Sequence, residues 1–192
     1  MKNFIRNDLS FSLCGLNCTL CTMKKDGHCP GCGGGAGNQG CSIARCSLET
    51  GNYQYCFECS HYPCEKYDGI TDFDSFITHR NQLIDMEKAQ TVGLVNYHLE
   101  LAEKADILEY LLDNYNDGRR KTFFCLAVNL LETSDIRSAV ERIKNETTSE
   151  NSLKEKSLIA VKHFEDVARQ MGITLKLNKK PSKAKFAVHY SR

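Results

Sequence analysis

Cys14-Gly15-Leu16-Asn17-Cys18-Thr19-Leu20-Cys21, followed by Cys29-Pro30-Gly31-Cys32, opens a cysteine run that continues through Cys41, Cys46, Cys56 and Cys59 and closes at Cys64; of the 11 cysteines only Cys125 lies outside it. Three pairs in the run, Cys18/Cys21, Cys29/Cys32 and Cys56/Cys59, have the Cys-x-x-Cys spacing. That spacing lets one tight turn aim two sulfurs at a single cation at about 2.3 Å. A single such pair is weak evidence, whereas three in so short a stretch point to metal. The same stretch has too few large aliphatic residues to make a core, so thiolate–metal bonds are expected to supply its folding energy. The run therefore divides the 192-residue chain into a Cys-rich metal-binding module over 1–70, a helical bundle over 71–177 and a basic tail over 178–192.

Beyond the run the hydrophobic period becomes helical. Phe73, Phe76, Ile77, Leu83 and Ile84 recur at helical spacing behind the candidate cap Asp72. A second helix is expected from Leu94, Val95, Leu99, Leu101, Ile107, Leu108, Leu111 and Leu112, ended by the stretch 114–118. Phe123, Phe124, Leu126, Ala127, Leu130 and Leu131 are apolar on nearly all sides and mark a central helix. Ser134 is the expected cap of a fourth helix, and Leu153 to Met171 form a fifth that stops at Gly172. Its buried face should carry Leu158, Val161, Phe164, Ala168 and Met171. Ile173, Leu175 and Leu177 alternate with polar residues and suggest one short strand. The expected fold is mostly α: a zinc-knuckle or ribbon-like N-terminal module with little regular structure, then a helical bundle with at most one strand.

Charge is close to balanced but unevenly spread. Residues 65–175 carry a net −6, which does not suit a nucleic-acid surface, whereas residues 176–192 carry six basic and no acidic residues. Cysteine density alone would also fit a disulfide-stapled secreted domain. Against that, Met1 to Leu20 has no basic segment followed by an apolar stretch, so no signal peptide is expected. Secreted frameworks also do not usually repeat the Cys-x-x-Cys spacing. No apolar run approaches the ~20 residues of a membrane span. A cytoplasmic protein with reduced thiols and no membrane association is expected.

Four thiolates close a tetrahedral structural zinc site. Cys18/Cys21 with Cys29/Cys32 would make one such site, and Cys41, Cys46, Cys56 and Cys59 a second, giving about two zinc ions on the four-ligand rule. Cys14 and Cys64 are then left over, and either can displace a named ligand. Pro30 fixes the turn between Cys29 and Cys32, while Gly31 and Gly33 let backbone N–H groups approach the thiolates. His28 and His61 sit beside the run as substitute ligands, although such loop histidines are more often surface residues. An iron–sulfur cluster is the alternative cofactor, since sets of four cysteines suit both. The spacing Cys14-x-x-x-Cys18-x-x-Cys21 is that of the radical S-adenosylmethionine cluster motif, but the large α/β barrel that hosts such chemistry is missing. Cys56/Cys59 lacks the thioredoxin-like context of a redox dithiol. Cys125, in an apolar helix, reads as a small core residue.

Asp117-Gly118-Arg119-Arg120-Lys121-Thr122 joins two helices. Its plain reading is a glycine turn with a charged first helical turn. Because three cations at a helix start oppose the dipole, Arg119 and Arg120 are also candidate ligands for a small anion. No Ser/His/Asp set, carboxylate pair or His-Glu-x-x-His motif emerges, which argues against an enzyme.

The run Cys14-Gly15-Leu16-Asn17-Cys18-Thr19-Leu20-Cys21, with Cys29-Pro30-Gly31-Cys32, Ile43-Ala44-Arg45-Cys46, Cys56-Phe57-Glu58-Cys59 and Tyr62-Pro63-Cys64-Glu65-Lys66, resembles the uncharacterised bacterial and archaeal cysteine-rich family called domain-of-unknown-function family 3795. The segment 117–126 resembles that family's longer members. Many members carry a further cysteine just before the position of Cys41, where this chain has Asn38-Gln39-Gly40. The resemblance implies a zinc-binding module and supplies no activity. The expected function is metal-stabilised binding of a partner protein or small anionic ligand, with zinc structural. An iron–sulfur redox or sensor protein is the alternative, and a zinc-knuckle nucleic-acid binder using the basic tail is a second.

Overall fold

The computed structural model describes residues 3–35 and 40–181. The basic tail expected over 178–192 therefore lies mostly outside the described residues. The described chain is mostly helical, with α1 (Thr22–Lys25), α2 (Ser42–Thr50), α3 (Gln82–Val92), α4 (Leu94–Tyr115), α5 (Lys121–Leu130), α6 (Thr133–Glu146) and α7 (Leu153–Gln170). No described residue is in a strand, and no helix among them is long and apolar enough to cross a membrane.

The bundle forms as its periodicity dictates. α5 is buried from Phe124 to Leu130 and lies at the centre, where Phe124 meets Phe123 and Phe164 edge to face. Around it pack Leu108 and Leu111 of α4, Ile136 and Ile143 of α6, and Ala160 of α7, all fully buried. Each such aliphatic or aromatic side chain contributes about 1.5–3 kcal/mol when removed from water. α7 begins at a capping box in which Ser152 accepts the Glu155 N–H and the Glu155 carboxylate accepts the Ser152 N–H.

Four expectations are corrected. The helix behind Asp72 does not form before Gln82: the Asp74 carboxylate accepts the Thr78 hydroxyl and the His79 N–H, so side-chain bonds satisfy this segment in place of a helical ladder. Phe73 and Phe76 are consequently exposed. The strand expected at 173–177 is also missing, because its carbonyls are taken by a side chain instead of a neighbouring strand. Arg80 donates to the Thr174 and Lys176 carbonyls at 2.7 and 3.0 Å. α6 starts at Thr133 behind Glu132, not behind Ser134; contacts to other helices set that start, since Thr133 donates to Glu100 and Glu132 pairs with Lys88. On α7, Val161, Phe164 and Ala168 are buried, but Leu158 and Met171 are 48% and 44% exposed.

The Cys-rich segment has more regular structure than its composition suggests. α2 is a nine-residue helix whose start is capped by sulfur, Cys41 Sγ accepting the Ala44 N–H at 3.5 Å. The segment is not separate from the bundle either. Phe11, Leu20 and Tyr55 belong to the same continuous core as α3 to α7. Phe11 lies between Tyr55 and Tyr97 of α4, with ring centroids 5.8 and 4.7 Å away. Asp26 with Lys121, and Lys25 with Glu109, tie α1 to α5 and α4.

Candidate metal centre

The turn that carries Cys14 is held by Ser12, whose hydroxyl accepts the Leu16 N–H at 2.7 Å and lies 3.3 Å from Cys14 Sγ. Gly15, at φ +98, lets this turn press on α3; a Cβ there would lie 2.4 Å from Met86 Cγ and 2.5 Å from the Gln82 carbonyl. Gln82 in turn donates to the Cys14 carbonyl at 2.9 Å. Backbone N–H groups point at several thiols: that of Cys32 at Cys18, that of Leu13 at Cys32, and those of Met23 and Lys24 at Cys21. Such donors stabilise sulfur-centred charge. One of them, the Cys32 N–H, lies between Gly31 and Gly33. Those glycines admit the Leu9 carbonyl and the Arg6 backbone, each within 2.8 Å of where a Cβ would stand.

All ten cysteines of the run are free thiols, and so is Cys125. Burial pushes Cys14, Cys18 and Cys56 each up to about 12, and neighbouring thiols add to the cost of a second charge. Cys14 has Cys32, Cys41 and Cys56 as such neighbours, and Cys18 has Cys32 and Cys14. Cys21 neighbours Cys29 and Cys125. Cys46, Cys56, Cys59 and Cys64 open together onto a small cleft of about 30 Å³. Among the described residues, no three of His, Cys, Asp and Glu already stand in ligating positions around one point. Neither Cys18/Cys21 with Cys29/Cys32, nor Cys41, Cys46, Cys56 and Cys59, nor any other set of the run is therefore already gathered around one point. His28 and His61 are exposed, and His61 Nδ1 is 3.9 Å from Cys59 Sγ.

Arg6 was not singled out by its sequence context, yet it is 4% exposed and lies beside the thiols. Its Nε donates to the Gln54 carbonyl, and Nη1 donates to the carbonyls of Asp8, Phe11 and Cys32. Its Nη2 is buried without a hydrogen-bond partner. No carboxylate among the described residues forms an ion pair with it. Burial raises the Cys32 thiol, while the Leu13 N–H and the Arg6 charge pull it back. A guanidinium cannot shed its proton, and a buried charge without a counter-charge is costly. The Arg6 guanidinium lies over the Tyr55 ring, 5.1 Å from the centroid, and beside the Cys32 thiol.

Between the thiols and the helices lies a second buried polar group. Asn17, flanked by Cys14 and Cys18, donates to Asp85 at 2.9 Å and to Asn129 at 3.3 Å, and accepts the Tyr97 hydroxyl at 2.8 Å. Lys104 closes this site from α4, donating to the Leu131 carbonyl at 2.9 Å. Burial pushes the Asp85 carboxyl up to about 7, against the pull of Lys104, Tyr97, Lys88 and Asn17. A carboxyl raised in the folded state gives stability that is fully present below its ordinary value of 3.8 and lost as pH rises through about 7. Asp85→Asn keeps an acceptor for Asn17 but cannot ionise. At equal metal content, the melting temperature of the variant minus that of the parent should therefore rise from pH 5 to pH 8. A difference that is flat across that range would show that Asp85 is already charged at pH 5.

The remaining candidates are placed as follows. Cys125 is buried in α5 as expected, with Cys21 as its neighbour across the junction. Arg119 is exposed, and Arg120 Nε is 4.0 Å from Asp117 Oδ2. Asn116 accepts the N–H groups of Gly118 and Arg120, and Asp117 accepts that of Arg119. With Lys121 paired to Asp26, an anion at the start of α5 would have to compete with two carboxylates. No family model, curated protein or solved structure matches the chain.

Proposed function

We propose that residues 14–64 form a structural zinc–thiolate module, and that the protein serves as a partner- or ligand-binding module without catalysis at the metal. The observation that carries this reading is Arg6. A zinc ion held by four thiolates bears two net negative charges, and a buried guanidinium beside Cys32 with no carboxylate partner is the counter-charge such a centre calls for. Free thiols in tandem pairs and the N–H groups aimed at them suit a soft, sulfur-bound ion. Zinc, when bound, supplies cross-links that replace a hydrophobic core. Four thiolates leave no open position for substrate or water, so no hydrolytic role is assigned. The resemblance drawn from the cysteine order supports the same reading.

Elemental analysis of protein produced in ordinary medium is expected to find about two zinc ions per chain on the four-ligand rule. Arg6→Met should then weaken zinc affinity about 10- to 100-fold, the loss typical of removing an outer-shell partner. Wild-type protein without bound metal would reject the reading, and an unchanged affinity in Arg6→Met would remove its main support. A second reading, an iron–sulfur redox or sensor protein, draws on the same cleft, where Cys46, Cys56, Cys59 and Cys64 supply the four thiols that suit a cluster as well as zinc. Iron with matching sulfide, and visible absorption after anaerobic purification, would establish it in place of zinc.

A further inference from the structure

We infer that the thiols divide into one centre of Cys14, Cys18, Cys32 and Cys41 and a second of Cys46, Cys56, Cys59 and Cys64, with Cys21 and Cys29 in neither. This rests on the metal–thiolate reading and specifies it. It also departs from the grouping that Cys-x-x-Cys spacing alone suggests.

α2 provides the first argument. Cys41 is its N-cap and Cys46 lies five residues further on. Along an α-helix that separation is about 7.5 Å of rise and roughly 140° of rotation. Sulfurs on one tetrahedral zinc are only about 3.8 Å apart, given bonds of about 2.3 Å. One rigid helix therefore delivers Cys41 and Cys46 to different ions. Cys41 faces a buried cluster in which Cys32 packs with Cys18, Cys41 and Cys56 alongside Leu13 and Ala44. Cys14 adjoins the same place through Cys32 and Cys41. Cys46 instead opens onto the cleft that Cys56, Cys59 and Cys64 share.

Cys21 and Cys29 are held elsewhere by the backbone. The Cys21 thiol turns toward the Met23 and Lys24 N–H groups at the start of α1. The Met23 carbonyl accepts the N–H groups of His28 and Cys29 at 2.9 and 3.1 Å, which holds Cys29 against α1. Cys21 also neighbours Cys125 of α5, and Cys29 neighbours Cys21. Cys56 adjoins both groups; its place on the cleft and its spacing from Cys59 assign it to the second. Each centre then has a cation beside it, Arg6 at Cys32 and Lys66 on the cleft wall.

The test measures zinc per chain in the full-length protein and in single Cys→Ser variants. Cys41→Ser and Cys64→Ser should each lower the content from about two ions to about one, the two centres being independent four-ligand sites. The double variant Cys21→Ser/Cys29→Ser should keep both. Should that variant fail to fold, brief alkylation of metal-loaded wild-type protein followed by mass spectrometry gives the same answer: Cys21 and Cys29 should react first, with the other eight protected. Loss of an ion in the double variant, or equal protection of all ten, would overturn the division while leaving the zinc reading intact. A wild-type protein without bound metal would instead remove the reading beneath it.

Discussion

Stripping the metal with a strong chelator should abolish the fold of residues 14–64 and expose them to protease, while the α6–α7 pair keeps its helical signal. Structural zinc contributes on the order of 10–16 kcal/mol in small zinc-finger domains, more than most whole domains have to lose. Among the described residues of 14–64, the buried apolar side chains are Leu20, Cys32, Ala44 and Tyr55. Two of these four are small, and burial of Leu20 and Tyr55 cannot offset the backbone entropy of ordering some fifty residues at about 1–2 kcal/mol each. Hydrogen exchange after chelation should show protection lost through the cysteine run and reduced at the adjoining end of α4, where Phe11 and Tyr97 meet. Cleavage rates within 14–64 that are unchanged by complete metal removal would show that the segment folds without metal.

Replacing Phe11 with alanine should be the most damaging single change at the junction. The side chain is fully buried and joins Tyr55 of the cysteine segment to Tyr97 of the bundle. Phe→Ala in a packed core costs about 3–5 kcal/mol, combining lost burial with a cavity. Two rigid aromatic rings flank the gap, so it cannot readily collapse. Denaturant melts with metal present should show a midpoint shift of that size, while Phe76→Ala, at an exposed ring, should move it by less than about 0.5 kcal/mol. Equal effects at the two positions would mean that Phe11 does not bridge the two parts.

The bundle was legible where periodicity was strong. The apolar character of 123–131 placed α5 at the centre, and the spacing in 94–112 and 158–168 located α4 and α7. Periodicity failed where polar side chains compete with the backbone. Asp74 gathers a loop from residues whose apolar pattern reads as helical, and Arg80 occupies carbonyls that an alternating stretch would have offered to a strand. α2 was hidden because its cap is a cysteine sulfur, outside the usual Ser, Thr, Asp and Asn signals. The concentration of candidate ligands was plain from spacing, but their grouping was not, because it depends on how α1 and α2 turn each thiol. Arg6 carries no sequence signal at all: its importance lies in burial without a carboxylate, which only a folded chain displays.

Asn17 has a consequence for the order in which the chain is made. Its partners Asp85, Tyr97 and Asn129 lie 68, 80 and 112 residues further on. At roughly 5–20 residues per second, the last of these leaves the ribosome on the order of ten seconds after Asn17 does. All ten cysteines of the run are synthesised before Asn129, and so before the pocket that receives Asn17 is complete. The nascent thiols must therefore be kept reduced, or take up their ion, while the bundle that will anchor them is still being translated.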